Sequence, residues 1–192
     1  VWAFSATCLF GMGWLCFRVF ERDGPDGQKG THPFLITFSG LIVVTVATTC
    51  WNYFAPVGLA INILIGLVTG FALLADRRRV RGYIYHWTER WGAIGLPSRL
   101  AIGAIFVIAL LKSVSPTELL DEGDYYLPYI RWIEHYRVVP GLANIEDRFG
   151  FNSSFHLASA FFGLSWLVPG GSYELNGLLL LLFGCWCIGA LD

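Results

Sequence analysis

The chain has 192 residues, of which 55% are hydrophobic and 14% are charged. Its mean hydropathy of +0.57 exceeds that of a water-soluble domain, and its apolar residues fall in blocks too long for a core of this size. The composition therefore excludes a soluble globular domain and predicts a membrane protein. We expect no nucleic-acid partner, because the net charge is −1 and the few charges lie in separate loops.

Six apolar blocks predict membrane-crossing helices. They cover residues 1–17, 34–54, 56–74, 99–114, 154–168 and 175–191. The second and third blocks nearly adjoin, as do the fifth and sixth, which predicts two tight antiparallel hairpins. The expected fold is an all-α polytopic membrane bundle of about six transmembrane helices. The sequence begins without Met and ends directly after an apolar block, so we expect an N-terminal fragment of a longer protein that is inactive alone.

The distribution of Lys and Arg predicts the orientation of the bundle, because cytoplasmic loops retain positive residues. The loop 75–98 carries five arginines and is expected to be cytoplasmic. The loop 115–153 carries seven acids against three arginines and is then extracytoplasmic. These assignments predict a multi-pass protein of the cytoplasmic (inner) membrane. The arginine cluster 77–81 sets this topology, or alternatively binds anionic lipid headgroups or a lipid-carrier phosphate.

The outer loop 115–153 contains two predicted helices. Ser115-Pro116-Thr117-Glu118 has the pattern of a capping box, so a short helix should begin at the membrane surface. Pro128 permits a second start, and this second helix should be amphipathic and interfacial, with Trp132 as an anchor and an end at Val139-Pro140-Gly141. Its apolar face is predicted to consist of Tyr129, Ile130, Ile133 and Tyr136. After it, Asn152 and Ser153 offer an N-cap for the fifth span.

Several short motifs of this loop agree in order and spacing with one known family. They are Asp121-Glu122-Gly123-Asp124-Tyr125-Tyr126, Ile130-Arg131-Trp132-Ile133, Val138-Val139-Pro140-Gly141-Leu142 and Arg148-Phe149-Gly150-Phe151-Asn152-Ser153-Ser154. Together they resemble the first outer loop of bacterial membrane proteins related to the GT-C glycosyltransferases, over roughly residues 99–166. The resemblance divides the chain into an N-terminal addition, 1–98, with three spans and the basic loop, and the start of the GT-C-like core, 99–192.

The resemblance implies transfer of a sugar from a polyprenyl-phosphate-linked donor to an acceptor on the outer membrane face. The lipid-linked donor and membrane lipid are the partners it implies. Members of that superfamily use an acidic residue of the first outer loop as the general base or to orient the acceptor. The resemblance assigns this role to Asp121, and Glu122 or Asp124 are less favoured candidates. A carboxylate within hydrogen-bond reach of the acceptor hydroxyl would accept its proton as the glycosidic bond forms. These three carboxylates would also suit Mg²⁺ or Mn²⁺, but we assign no metal.

The leaving lipid phosphate is anionic and requires positive partners. Arginine forks suit phosphate oxygens, so Arg148 is the first choice, followed by Arg137 and Arg131. Asn152 and His156 lie next to this group and complete the predicted binding set. Two alternatives to phosphate binding remain open at this point. Arg148 forms a salt bridge with a loop acid such as Glu146 or Asp147, and the hydrogen-bonding groups of His156 find their partners within the helix bundle.

A second class of function also fits the sequence. The protein would then be a non-catalytic membrane subunit or a transporter component of a cell-surface polysaccharide pathway, with the outer loop docking a partner. A channel is less favoured, because apart from Lys112 near one end the predicted spans hold no charge. The five cysteines all fall in apolar blocks and are expected to be small hydrophobic residues within helices.

Overall fold

The computed structural model of the protein describes residues 1–20, 31–114, 125–144, 147, 149, 153–168 and 175–191. These residues form eight α-helices and no strand, so the protein is all-helical, as predicted. The helices are α1 (Trp2–Phe20), α2 (Pro33–Asn52), α3 (Leu59–Ala75), α4 (Arg77–Ala93), α5 (Leu96–Val114), α6 (Leu127–His135), α7 (Ser154–Gly163) and α8 (Leu175–Leu191).

A helix occurs at each of the six apolar blocks, but fewer than six have the length and composition to cross a membrane. Among the described residues, α1 and α2 meet both criteria, and α3 with α4 counts as a third span if the pair is taken together. The pair is bent by 84°. The apolar part of α8, Leu175–Gly189, is shorter. The chain is thus a membrane-type protein with two or three candidate spans in its described part.

Of the six predicted spans, the structure of the fifth, 154–168, differs most from the prediction. It contains the 10-residue helix α7, about 15 Å long, half of a hydrocarbon core of about 30 Å. The helix ends because Leu164 takes the left-handed conformation, with φ 46° and ψ 43°. Its residues from His156 to Gly163 are all buried. This helix is therefore an internal packing element of the bundle, and length alone prevents it from crossing.

The closest helix contact joins α1 and α2, which run antiparallel. A Cβ atom placed on Gly13 would overlap the carbonyl oxygen of Ile36, and one placed on Gly40 would overlap that of Leu9. Leu9 and Ile36 are fully buried beside this crossing. Small residues at a helix interface allow such backbone contact, which is how helices associate in lipid.

A buried amide connects α3 to α7 and to the segment that follows α7. The side-chain nitrogen of Asn62 donates to the carbonyl oxygen of Phe161 at 2.8 Å, and the indole nitrogen of Trp166 donates to Asn62 Oδ1 at 3.1 Å. Asn62 is 3% exposed. Both sides of its amide are therefore satisfied, as burial requires.

One end of the bundle, which we call the α4 end, is closed by α4. Asp76, between α3 and α4, accepts from the indole nitrogen of Trp14 at 3.0 Å and pairs with Arg18 at 3.1 Å. The hydroxyl of Tyr83 donates to the carbonyl oxygen of Thr31 at 2.8 Å. These contacts hold α4 across the end of α1 and the start of α2. The opposite end carries α6 and is called the α6 end.

The glycine crossing gives a direct test of helix packing. Gly40→Ala places a methyl group against the backbone of α1, so we expect a loss of about 1–3 kcal/mol of stability and a lower Tm in detergent. Gly70→Ala is the matched control, since a Cβ there meets nothing within 4 Å. Equal melting temperatures for the two variants would contradict the close crossing.

Candidate functional site

The amphipathic helix predicted in the outer loop is present as α6. Pro128 lies in its first turn, where a missing N–H is tolerated, and its buried face consists of Tyr129, Ile130 and Ile133. The prediction for Tyr136 was wrong, because this residue is 54% exposed. The helix ends at His135, and Tyr136 takes an extended conformation with φ −131° and ψ 149°. The helix thus ends before Val139-Pro140-Gly141, and Gly141, with φ +85°, forms the following turn.

Backbone hydrogen bonds fix α6 and the residues after it to the hairpin between α2 and α3. The N–H of Val57 donates to Ile133 O at 3.0 Å, and that of Val138 donates to Asn52 O at 2.9 Å. The side chain of Asn52 also donates to Tyr136 O at 3.3 Å. Sequence reasoning missed Asn52; the available signal was an amide in the last turn of an apolar helix.

A cavity of about 200 Å³ lies between α6, the end of α2 and the turn at Gly141. Its wall includes Asn52, Trp132, Tyr136, Arg137, Gly141 and Phe149. One guanidinium, one amide and several aromatic rings are the groups that bind an anionic or hydroxyl-rich ligand. The indole nitrogen of Trp132 is buried and has no hydrogen-bond partner among the described residues. The cavity is the candidate binding site of the α6 end.

His156 lies behind this cavity, in the first turn of α7. It is 5% exposed, and its ring meets those of Tyr126 and Tyr129 edge-on, with centroids 5.0 and 5.2 Å apart. Tyr129 stacks on Phe149, and both line the cavity. His156 Nδ1 is buried without a hydrogen-bond partner in the described part of the chain. Burial lowers the pKa of His156, so the neutral ring is the stable form near pH 7.

The other predicted site residues divide into two groups. Arg137 lines the cavity, whereas Arg131 is exposed on α6 and does not. The helix start at 115–118 and five predicted residues lie outside the described residues: Asp121, Glu122, Asp124, Arg148 and Asn152. Within the described ranges, no group of three or more His, Cys, Asp or Glu side chains could hold a metal ion. The structure thus brings Arg137 and His156 to the same end of the bundle, separated by Tyr129.

The fold and site define a class: an all-helical protein with membrane-type helices and a polar, aromatic-lined cavity at one end. The chain belongs to the family of DUF8201, a domain of unknown function, whose model matches residues 1–192. Comparison with the curated proteins and with the solved structures finds no match.

The environment of His156 predicts a pH dependence of stability. Its pKa is lowered in the folded state, so the unfolded state binds the proton more tightly and stability is lost as pH falls below the unfolded value of about 6.5. We expect the Tm of the wild type to fall between about pH 7.5 and about pH 5.5. His156→Phe keeps an aromatic ring and should make this fall smaller.

His135→Gln is the control, because His135 is exposed on α6. Some pH dependence should remain in His156→Phe, since burial and the nearby charge of Arg90 also lower the pKa of His32. An unchanged pH dependence of Tm in His156→Phe would show that the buried imidazole does not control stability.

Proposed function

We propose that the protein acts as a membrane glycosyltransferase of the GT-C type. It transfers a sugar from a polyprenyl-phosphate-linked donor to an acceptor on the extracytoplasmic face. The observation that supports this proposal is the cavity under α6, where Arg137 and Asn52 lie among aromatic rings at the end of the apolar helices. A donor whose lipid stays in the bilayer presents its phosphate and sugar at this level.

The placement of charge supports the orientation within this proposal. Five arginines lie on α4 at one end of the bundle, whereas the outer loop that contains α6 is acidic overall. Cytoplasmic sides retain arginine and lysine, so we place α4 in the cytoplasm and α6 outside an inner membrane. We further propose that α3, α5 and α8 cross beside α1 and α2, with small differences in length accommodated by tilt or local thinning.

Each polar group has a separate role in the proposed reaction. Arg137 donates hydrogen bonds to oxygens of the leaving lipid phosphate, where charge increases as the bond between the anomeric carbon and the phosphate oxygen breaks. Asp121 accepts the proton of the acceptor hydroxyl as that oxygen attacks the anomeric carbon. Asn52 positions Arg137 indirectly, since its side-chain N–H groups hold the backbone at Tyr136, the preceding residue.

The test uses the full-length protein in membranes with a radiolabelled polyprenyl-phosphate sugar. We expect Asp121→Asn to reduce kcat by about 10²–10⁴-fold. Arg137→Gln should lower kcat/KM for the donor by about tenfold or more, because a hydrogen bond to a charged group contributes about 1.5–3 kcal/mol.

Lys112→Gln is the control, since it removes an exposed charge near the same end of the bundle and should leave both constants unchanged. Near-normal transfer by Asp121→Asn at equal expression would exclude Asp121 as the base. Absence of donor-dependent transfer by the wild type would contradict the proposed function and favour a non-catalytic subunit.

A further inference from the structure

Helix α4 presents two chemically different faces. Val80 and Tyr83 are buried, and with half-buried Trp87 they form a stripe that packs on Trp14 and Ile36. Arg77, Arg78 and Arg81 are all exposed. Such a division of apolar and basic residues is typical of a helix that lies along a membrane surface.

The geometry of the chain places this basic face at the level of lipid headgroups. The 17 residues of α3 extend about 26 Å, close to the thickness of a hydrocarbon core. The 84° bend then directs α4 across the end of the bundle. An apolar helix that crosses the membrane and turns by nearly a right angle leaves its successor in the plane of the interface.

Among the residues that the structure describes, most of the positive charge on α4 has no acidic partner. Asp76 is shared between Arg18 at 3.1 Å and Arg79 at 3.8 Å. The only acid of α4, Glu89, hydrogen-bonds the hydroxyl of Tyr85. Arg77, Arg78 and Arg81 form no ion pair with any described residue. The helix is therefore available to attract anions.

A cavity of about 260 Å³ adjoins the last turns of α4. It lies between the start of α2 and the end of α8, and its wall includes His32, Trp87, Arg90, Trp91, Ile94 and Gly189. The guanidinium carbon of Arg90 lies 4.9 Å from the centre of the Trp87 ring, in cation–π contact. Arg90 thus has a fixed position at the edge of the cavity.

His32 supplies a second hydrogen-bond donor there. Its Nδ1 accepts from the N–H of Phe34 at 3.2 Å, so the neutral ring carries its proton on Nε2. Nε2 lies 3.8 Å from the position of a Cβ on Gly189, a residue of the cavity wall. Burial and the charge of Arg90 lower the pKa of His32, which keeps the ring neutral and this N–H in place.

We propose that this cavity binds the phosphate of an anionic phospholipid headgroup, which Arg90 and His32 Nε2–H hold by hydrogen bonds. The exposed arginines of α4 concentrate such lipids at this end of the bundle. A lipid is favoured over a soluble phosphate because the wall includes Ile94 and two tryptophans, and Leu96, two residues after Ile94, is 69% exposed. The acyl chains would continue along these apolar side chains.

The experiment is native mass spectrometry of the full-length protein in detergent, titrated with phosphatidylglycerol or phosphatidylcholine. We expect tighter binding of phosphatidylglycerol, and about fivefold weaker binding of it by Arg90→Gln, as one arginine near a membrane surface contributes about 1 kcal/mol. Lys112→Gln removes an exposed charge at the opposite end and should bind like the wild type. Arg77→Gln/Arg78→Gln/Arg81→Gln should weaken binding further and reduce its dependence on salt.

Three results would overturn the proposal. Equal binding of the two lipids by the wild type would exclude an anionic headgroup site. Competition by water-soluble glycerophosphoglycerol as effective as that of the lipid would assign the site to a soluble phosphate. Equal affinities of Arg90→Gln and Lys112→Gln for phosphatidylglycerol would place the lipid elsewhere. The readout does not involve sugar transfer, so its failure and that of the proposed enzyme are distinguishable.

Discussion

The contact between the backbones of α1 and α2 is the constraint on which the rest of the bundle depends. Helices in lipid gain little from the hydrophobic effect, so close packing of small residues must hold them together. Gly13 faces the carbonyl oxygen of Ile36, and Gly40 faces that of Leu9. This reciprocal contact fixes the position of one helix along the other. As a result, the end of α1 meets Asp76 beside α4, while the end of α2 reaches the residues that follow α6.

The two ends of the bundle that result from this packing differ in chemistry. The α4 end is basic and aromatic, and its polar atoms anchor α4 to α1 and to the residues before α2. The α6 end encloses a cavity lined by Arg137 and Asn52. Buried polar atoms are usually paired, as Asn62 is, and an unpaired one lowers stability by about 1–3 kcal/mol. The unpartnered Nδ1 of His156 among the described residues therefore favours a role beyond packing at this end.

The sequence predicted helices at all six apolar blocks, because the length of an apolar run is a local property. It also predicted the buried face of α6 at Tyr129, Ile130 and Ile133, which follows from helical spacing. It did not predict the bend at Asp76, which is held by Trp14 from 62 residues away, or the role of Asn52, whose partner at Tyr136 is 84 residues away. It overestimated the helix at 154–168 because the left-handed Leu164 has no local signature. Of the predicted site, Arg137 and His156 lie at the α6 end, and the acids lie outside the described residues.

The central claim is that α4 and α6 lie on opposite sides of a membrane, and site-directed cysteine labelling tests it most directly. The five native cysteines are replaced by Ala, and Arg78→Cys or Tyr136→Cys is introduced at an exposed position of each end. A membrane-impermeant maleimide is applied to intact cells and to cells with opened membranes. The account predicts labelling of position 136 in intact cells and of position 78 only after the membrane is opened. Labelling of both positions from the same side would contradict it.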